Sequence, residues 1–237
     1  MAALEIIYRH FCTNYSLTID SRKVVSGTIY LALRGERFDG NEFAQQALES
    51  GASLVIIDND KYNIEDDRVI LVEDSLKTLQ LLATHHRQSL NIPVIALTGS
   101  NGKTTTKELL KAALSTHYRV LATAGNFNNH IGVPLTILSA TTEHEVMLVE
   151  MGANHVGEIQ ELCRIALPDV GLITNIGKAH LEGFGGYKGV IKAKSEMYHY
   201  LKSAGGTIVY NQDDPLLSEL VNEYIPSTMY SPSRDFE

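Results

Sequence analysis

The chain has 237 residues, 44% hydrophobic and 20% charged, a composition suited to a soluble globular protein of one or two domains with a real core. A formal net charge of -8 argues against a nucleic-acid partner held through its phosphates, because that contact needs a concentrated basic face. The two cysteines, Cys12 and Cys163, both lie in apolar helical patterns, so a disulfide framework is not expected and a reducing compartment is.

The opening MAALEIIYRHFC puts Leu4, Ile7, Tyr8 and Phe11 on one helical face over residues 2–12. Glu5 and Arg9 interrupt its apolar run, so no cleaved secretory leader is expected. No run reaches the ~18 apolar residues of a membrane span, and the expected location is the cytoplasm.

A short segment at 17–20 leads into a strand over 28–33, a helix over 42–48 and a buried strand over 54–57, the pattern of a small α/β unit. Two features in it exceed scaffolding: the triplet Asp20-Ser21-Arg22 beside a strand, and the glycine-bearing loop 34–41, RGERFDGN. Taken alone, the triplet reads equally as a turn with an internal ion pair or as an arginine clamp for a diphosphate. The polar stretch 61–67 precedes a strand over 69–72. A helix over 75–90 follows, with Leu76, Leu79, Leu82 and Ala83 in register and Asp74 or Ser75 as its N-cap. The break at Asn91-Ile92-Pro93 marks the expected domain boundary, giving domains 1–91 and 92–237.

The second domain opens on PVIALTGSNGKTTTKELLKAAL, read as a buried strand over 94–97, a glycine loop over 98–102 and a helix from Lys103. Backbone N–H groups of residues 99–104 at a helix start can wrap a phosphate, and Gly99 and Gly102 let the backbone approach it. Ser100, Asn101 and Thr105 belong to the same loop and helix start. Lys103 supplies a point charge for the β- and γ-phosphates of ATP, and the Thr104 hydroxyl is placed for a coordination position on Mg²⁺. The pattern departs from G-x-x-x-x-G-K-[ST] in one respect, since Leu97 stands where its first glycine would be.

Strands over 119–122, 146–149, 170–174 and 207–210 then alternate with helices over 134–138, 157–165 and 187–201 and one starting at Pro215, as in a doubly wound parallel sheet. Ligands of such sheets sit at the carboxyl ends of the strands. Polar residues occur there: Asn126, Asn128 and Asn129 in one loop, Glu150 after an apolar strand, and Asn175 and His180 after another. Turn chemistry accounts for asparagines in a loop, and a lone histidine is commonly a surface residue. Glu150 can meet a metal beside Thr104. The helix YKGVIKAKSEMYHYL, with Lys188, Lys192, Lys194 and Glu196, reads by composition as a solvated face.

Several of these segments, T-G-S-N-G-K-T-T, D-S-R, the run from Gly27 through F-D-G-N, N-I-G-x-A-H-L-E-x-F-G and A-K-S-E, resemble the ATP-dependent Mur ligases, which extend the peptide of the bacterial cell-wall precursor. The resemblance implies a small N-terminal α/β domain that binds the uridine-nucleotide precursor through Ser21 and Arg22, with residues 38–41 nearby. It also implies a doubly wound P-loop ATPase domain, with His180 and a CO₂-carbamylated Lys194 at a second Mg²⁺. G-N-F-N-N-H-I-G-V-P-L-T resembles the substrate loop of the branch that joins D-alanyl-D-alanine to UDP-N-acetylmuramoyl-tripeptide, and it assigns Asn128 and Asn129 to substrate. A monomer is expected. Other Mur or folylpolyglutamate-type ligases, and a nucleotide-binding module without turnover, are the alternatives; the 125–136 segment weighs against the former, and the intact Lys103, Glu150, His180 and Lys194 against the latter. The family pattern continues with an adenine-binding asparagine and a third domain, so the central domain is expected to be incomplete here and the chain alone not to ligate.

Overall fold

The computed structural model describes residues 2–178 and 181–232. By internal packing the chain divides into two units, residues 1–86 and 87–237.

The first unit holds α1 (Ala2–Asn14), β1 (Leu17–Thr18), β2 (Ile29–Leu31), α2 (Ala44–Glu49), β3 (Leu54–Ile57) and β4 (Val69–Leu71), and α3 (Ser75–Ser89) starts within it. Its four strands form one parallel sheet in the order β1-β2-β3-β4. All four residues of β3 are buried, as expected for a parallel strand covered on both faces. Tyr30, Val55 and Ile57 pack with Ala47 and Leu48 of α2, and each large apolar side chain so buried contributes about 1.5–3 kcal/mol. The Tyr30 hydroxyl donates to the Gly40 carbonyl at 2.8 Å and ties loop 34–41 to the sheet.

Two local results differ from the expectations. The strand over 28–33 shortens to Ile29–Leu31, and beyond it Arg34 bridges Asp39 across its own loop. The helix over 42–48 begins as a 3₁₀ turn, Gly40–Phe43, whose start is capped by the Asp39 carboxylate accepting from Asn41 N. Of the two N-cap candidates for α3, Asp74 is the cap, its carboxylate accepting from Lys77 N at 2.8 Å.

The second unit is a six-stranded parallel sheet in the order β10-β9-β8-β5-β7-β6. Its elements are β5 (Val94–Thr98), α4 (Lys103–Leu114), β6 (Val120–Ala122), α5 (Gly132–Leu138), β7 (Val146–Glu150), α6 (Glu158–Ala166), β8 (Val170–Ile173), α7 (Leu181–Phe184), α8 (Tyr187–Ala204), β9 (Thr207–Asn211), α9 (Pro215–Val221) and β10 (Ser227–Tyr230). β10, with all four residues on the surface and no alternating apolar pattern, was not expected from the sequence; its pairing with β9 alone makes it an edge strand. The strand order reverses at β5, which pairs with β7 on one side and β8 on the other. A doubly wound sheet binds its ligand at such a reversal, and there the chain places its glycine loop.

Arg87 fixes the bottom of this sheet. Its guanidinium donates to the carbonyls of Ala166, Leu90 and Leu167 and to the Asp169 carboxylate, which also accepts from Val94 N at 2.8 Å. The starts of β5 and β8 are thereby locked in register, and the carboxyl ends that carry the polar residues follow from it.

Candidate active site

Register alone brings Glu150 to the glycine loop. Glu150 is the last residue of β7, one place later than the sequence pattern suggested, and stands opposite Leu97 of β5 just before the chain turns into the loop. Gly99 has φ +147° and a Cβ built on it would lie 2.0 Å from Thr174 Oγ1, so only glycine fits this crossing of loop and strand end. Gly102, at φ +78°, starts α4.

The loop is clamped to the end of β8. Thr174 Oγ1 and Asn175 Nδ2 donate to the Asn101 carbonyl at 2.7 and 2.9 Å, and Ser100 Oγ exchanges hydrogen bonds with the backbone of Gly177. Ser100 N and Asn101 N donate to Asn175, to its carbonyl and its Oδ1. This narrows the expectation that every N–H from 99 to 104 wraps a phosphate. Two of those donors bind Asn175, which leaves the first turn of α4, where the N–H groups of Lys103, Thr104 and Thr105 have no acceptor within the helix and can receive an anion. The Lys103 ammonium folds back on the loop, donating to the carbonyls of Gly99 and Ser100 at 2.9 and 3.3 Å.

Thr104 and Glu150 meet. The hydroxyl donates to the two carboxylate oxygens at 3.0 and 3.3 Å, and Asn128 Nδ2 donates to Oε1 at 2.9 Å. A hydroxyl and a buried carboxylate side by side at a helix N-terminus are hard oxygen donors that suit Mg²⁺. No group of three or more His, Cys, Asp or Glu among the described residues could hold a metal by itself, so the fit requires further oxygens from water or a phosphate. His180 lies outside the described residues.

The two loop asparagines separate in role. Asn128 braces Glu150, and its carbonyl accepts from Gly152 N at 2.7 Å. Asn129 Oδ1 accepts from the N–H groups of Ile131 and Gly132 and shapes the turn just ahead of α5, a role that asparagine often plays. Both line a cleft of about 350 Å³ at the carboxyl ends of the strands, together with Lys103, Asn126, Glu158 and Lys194.

The reading of the 187–201 helix as a solvated face is overturned in part. Lys188 and Lys192 are exposed, but Ala193, Lys194, Ser195 and Glu196 are buried, because α8 packs this side against α6 and the sheet. Burial, followed by the charge of Lys103, lowers the Lys194 pKa from its ordinary 10.5 to about 8. Its Nζ stands 5.6 Å from the centre of the Phe184 ring. Glu196 points instead at the start of α6, accepting from Gly157 N at 2.6 Å and Gln160 N at 3.0 Å. Burial works against ionisation of Glu158, but the N–H groups of Asn154 and His155 and the His155 ring hold its carboxyl below the ordinary range.

In the first unit Ser21 and Arg22 lie on a 3₁₀ turn, and the exposed Arg22 guanidinium makes a two-pronged pair with Asp20, both contacts at 2.8 Å. The pair and the backbone bond from Arg22 N draw the Asp20 carboxyl down to about 2. This is the internal ion pair that the triplet allowed. Arg34 is likewise held by Asp58, whose carboxylate also accepts from Asn41 Nδ2 at 2.9 Å.

Sequence reasoning passed over Lys107, which is completely buried at the second turn of α4. The available signal was its spacing, four residues after Lys103 and three after Thr104, which puts all three on one side of the helix.

The Mur ligase middle domain model matches residues 97–234, and the model described as Mur ligase family, catalytic domain matches residues 13–87. The chain is 46% identical over 204 residues to the UDP-N-acetylmuramoyl-tripeptide--D-alanyl-D-alanine ligase of Bacillus subtilis, covering 86% of this chain and 44% of that protein. Similar solved structures are a MurF from Acinetobacter baumannii (38% identity, TM-score 0.81, covering 91% of this chain and 47% of that one) and a MurF ligase from Thermotoga maritima in complex with ADP (36%, 0.82, covering 92% and 51%). The chain thus spans about half the length of the relatives it matches. In the described residues no helix is long and apolar enough to cross a membrane. With the middle-domain match running across more than half of its length, and the loop, Thr104 and Glu150 assembled within that match, the chain belongs to the Mur ligase family.

Proposed function

We propose that this chain carries the precursor-binding and ATP-binding parts of a ligase that joins D-alanyl-D-alanine to UDP-N-acetylmuramoyl-tripeptide through an acyl phosphate. The observation that supports it best is the contact of Thr104 with Glu150 at the first turn of α4, beside Lys103. With soluble nucleotides as reactants, the protein works in the cytoplasm, as a monomer.

In this reading the first turn of α4 receives the β- and γ-phosphates of ATP, and the Lys103 ammonium exchanges the loop carbonyls for phosphate oxygens. Thr104 and Glu150 would hold one Mg²⁺, and Lys194, as its carbamate, with His180 would hold a second. Bound Mg²⁺ supplies the neutralisation that lets an anionic carboxylate approach an anionic phosphoryl group. The tripeptide's terminal carboxylate oxygen bonds to the γ-phosphorus while the bridge to the β-phosphate breaks and ADP leaves. The amine of D-alanyl-D-alanine then adds to the acyl carbon, and inorganic phosphate departs as the amide forms. Asn128 and Asn129 belong to the cleft wall where the tripeptide end would lie. Ser21 and Arg22 would hold the uridine diphosphate.

Calorimetric titration of the chain with ADP and Mg²⁺ tests the nucleotide half. Saturable binding is expected, weakened about 10- to 100-fold in Lys103→Ala by loss of a charge-assisted contact. A chain that binds no nucleotide, or one indifferent to Lys103→Ala, counts against the assignment.

A further inference from the structure

Lys107 has no solvent-accessible surface, and a fully buried ammonium is retained only where fixed partners replace its water. Its Nζ donates to the Thr123 carbonyl at 2.6 Å, lies 3.1 Å from Glu108 Oε1 and stands 3.9 Å from Glu150 Oε2. Glu108 faces outward with its side chain 57% exposed, whereas the Glu150 side chain is 2% exposed. Lys107 and Glu150 are therefore the pair that shares the interior.

The geometry closes on itself. Thr123, just past β6, accepts from Lys107 through its carbonyl and from Glu150 N through its hydroxyl at 3.0 Å. Thr104, one turn before Lys107 on the same side of α4, donates to the carboxylate from the front, and Asn128 donates from the loop. Glu150 is thus held on three sides, by Lys107, Thr104 and Asn128.

We propose that Lys107 is a positioning residue of this site: its buried ammonium holds the Glu150 carboxylate against Thr104 and offsets its charge, so that a divalent cation is captured with a phosphate ligand rather than alone. The proposal rests on the nucleotide reading above and adds what sets the affinity for the metal. A carboxylate backed by a cation at about 4 Å exerts little net pull on a free ion. No cluster of three metal-ligating side chains supplements it among the described residues. Phosphate oxygens delivered at the first turn of α4 make up the difference.

The test measures Mn²⁺ binding to the 237-residue chain by electron paramagnetic resonance, without nucleotide, in wild type, Lys107→Met, Glu150→Gln and the double variant. Lys107→Met should raise the affinity for Mn²⁺ alone at least about fivefold, the effect of removing one unit charge ~8 Å from a divalent ion even in bulk-water dielectric. In the Glu150→Gln background the same substitution should change nothing. Lys107→Gln, which keeps a donor toward Thr123, gives the same comparison where the methionine variant does not fold by circular dichroism. A lower melting temperature with unchanged Mn²⁺ affinity would mark Lys107 as a purely structural residue and overturn the proposal. So would an equal rise with Glu150 already replaced. A parallel titration with ADP and Mg²⁺ separates the two readings: its failure in every chain removes the nucleotide site, while the manganese measurement still decides the role of Lys107.

Discussion

Glu196 Oε1 accepts a hydrogen bond from Gly157 N at 2.6 Å, so the carboxylate two residues after Lys194 binds the start of a neighbouring helix while its charge still favours the lysine's protonated form. With Gln160 N bound to the other oxygen, α8 is pinned to α6 at the point where Lys194 enters the cleft. A carboxylate at a helix N-terminus satisfies orphan donors and meets the favourable end of the helix dipole.

Glu196→Ala should therefore destabilise the second unit by about 1–3 kcal/mol, the range for leaving buried donors unsatisfied. Thermal or urea unfolding gives the number. Glu196→Gln keeps an acceptor oxygen and should recover part of the loss; full stability in the alanine variant would show that the cap carries no weight.

Lys194 has a pKa lowered to about 8, first by burial and then by the charge of Lys103. CO₂ reacts with the free amine, so a lowered pKa is what carbamate formation near neutrality requires. Isotope-labelled bicarbonate and carbon NMR should detect a carbamate signal that rises through pH 8 and is absent in Lys194→Arg. Removing the neighbouring charge with Lys103→Met should move the midpoint upward toward the ordinary 10.5. The stability sign follows from the same shift: between pH 8 and 10.5 the unfolded chain binds the extra proton, so this residue's contribution rises with pH across that window and its burial cost is full below it. A midpoint indifferent to Lys103→Met would remove the second cause.

Gly99→Ala tests the loop without touching any charged group. The new methyl would meet Thr174 Oγ1 at 2.0 Å with φ at +147°, so the loop must lift from the end of β8. We expect loss of ADP binding by at least about tenfold and a stability cost of about 1–3 kcal/mol. Unimpaired nucleotide binding would mean that the clamp from Asn175 is not needed to shape the phosphate site.

Most of the second unit was legible because a parallel sheet covered on both faces writes itself as short apolar runs, such as VIAL and VMLV, each followed by turn residues. Glu150 was legible for the same reason, as the first charge after such a run. Lys107 was not, since a lysine at helical spacing from other polar residues looks solvated, and only the sheet behind α4 reveals that it is buried. The buried side of α8 escaped similarly: Lys188 and Lys192 are as exposed as composition suggests, and Lys194 differs only because α6 and the sheet cover it. In the first unit, the D-S-R triplet permitted two readings, and local geometry displays the ion pair without excluding the other use of Arg22.

That leaves Arg22 as a test of the precursor site. Its guanidinium is exposed and bound two-pronged to Asp20 at 2.8 Å, and an ion pair in water contributes little, so transferring the fork to a diphosphate costs little. A diphosphate offers the same planar match with more charge. Calorimetry with the UDP-tripeptide and the 237-residue chain should show affinity falling by about 10- to 150-fold in Arg22→Ala, equivalent to about 1.5–3 kcal/mol for a hydrogen bond to a charged group. Arg22→Lys should recover less than half of that free energy, because an ammonium keeps the charge and loses the fork. Asp20→Asn releases the guanidinium and should leave affinity unchanged or higher. If Arg22→Ala binds the precursor as wild type does while Asp20→Asn melts at a lower temperature, the pair is structural alone and the uridine diphosphate sits elsewhere.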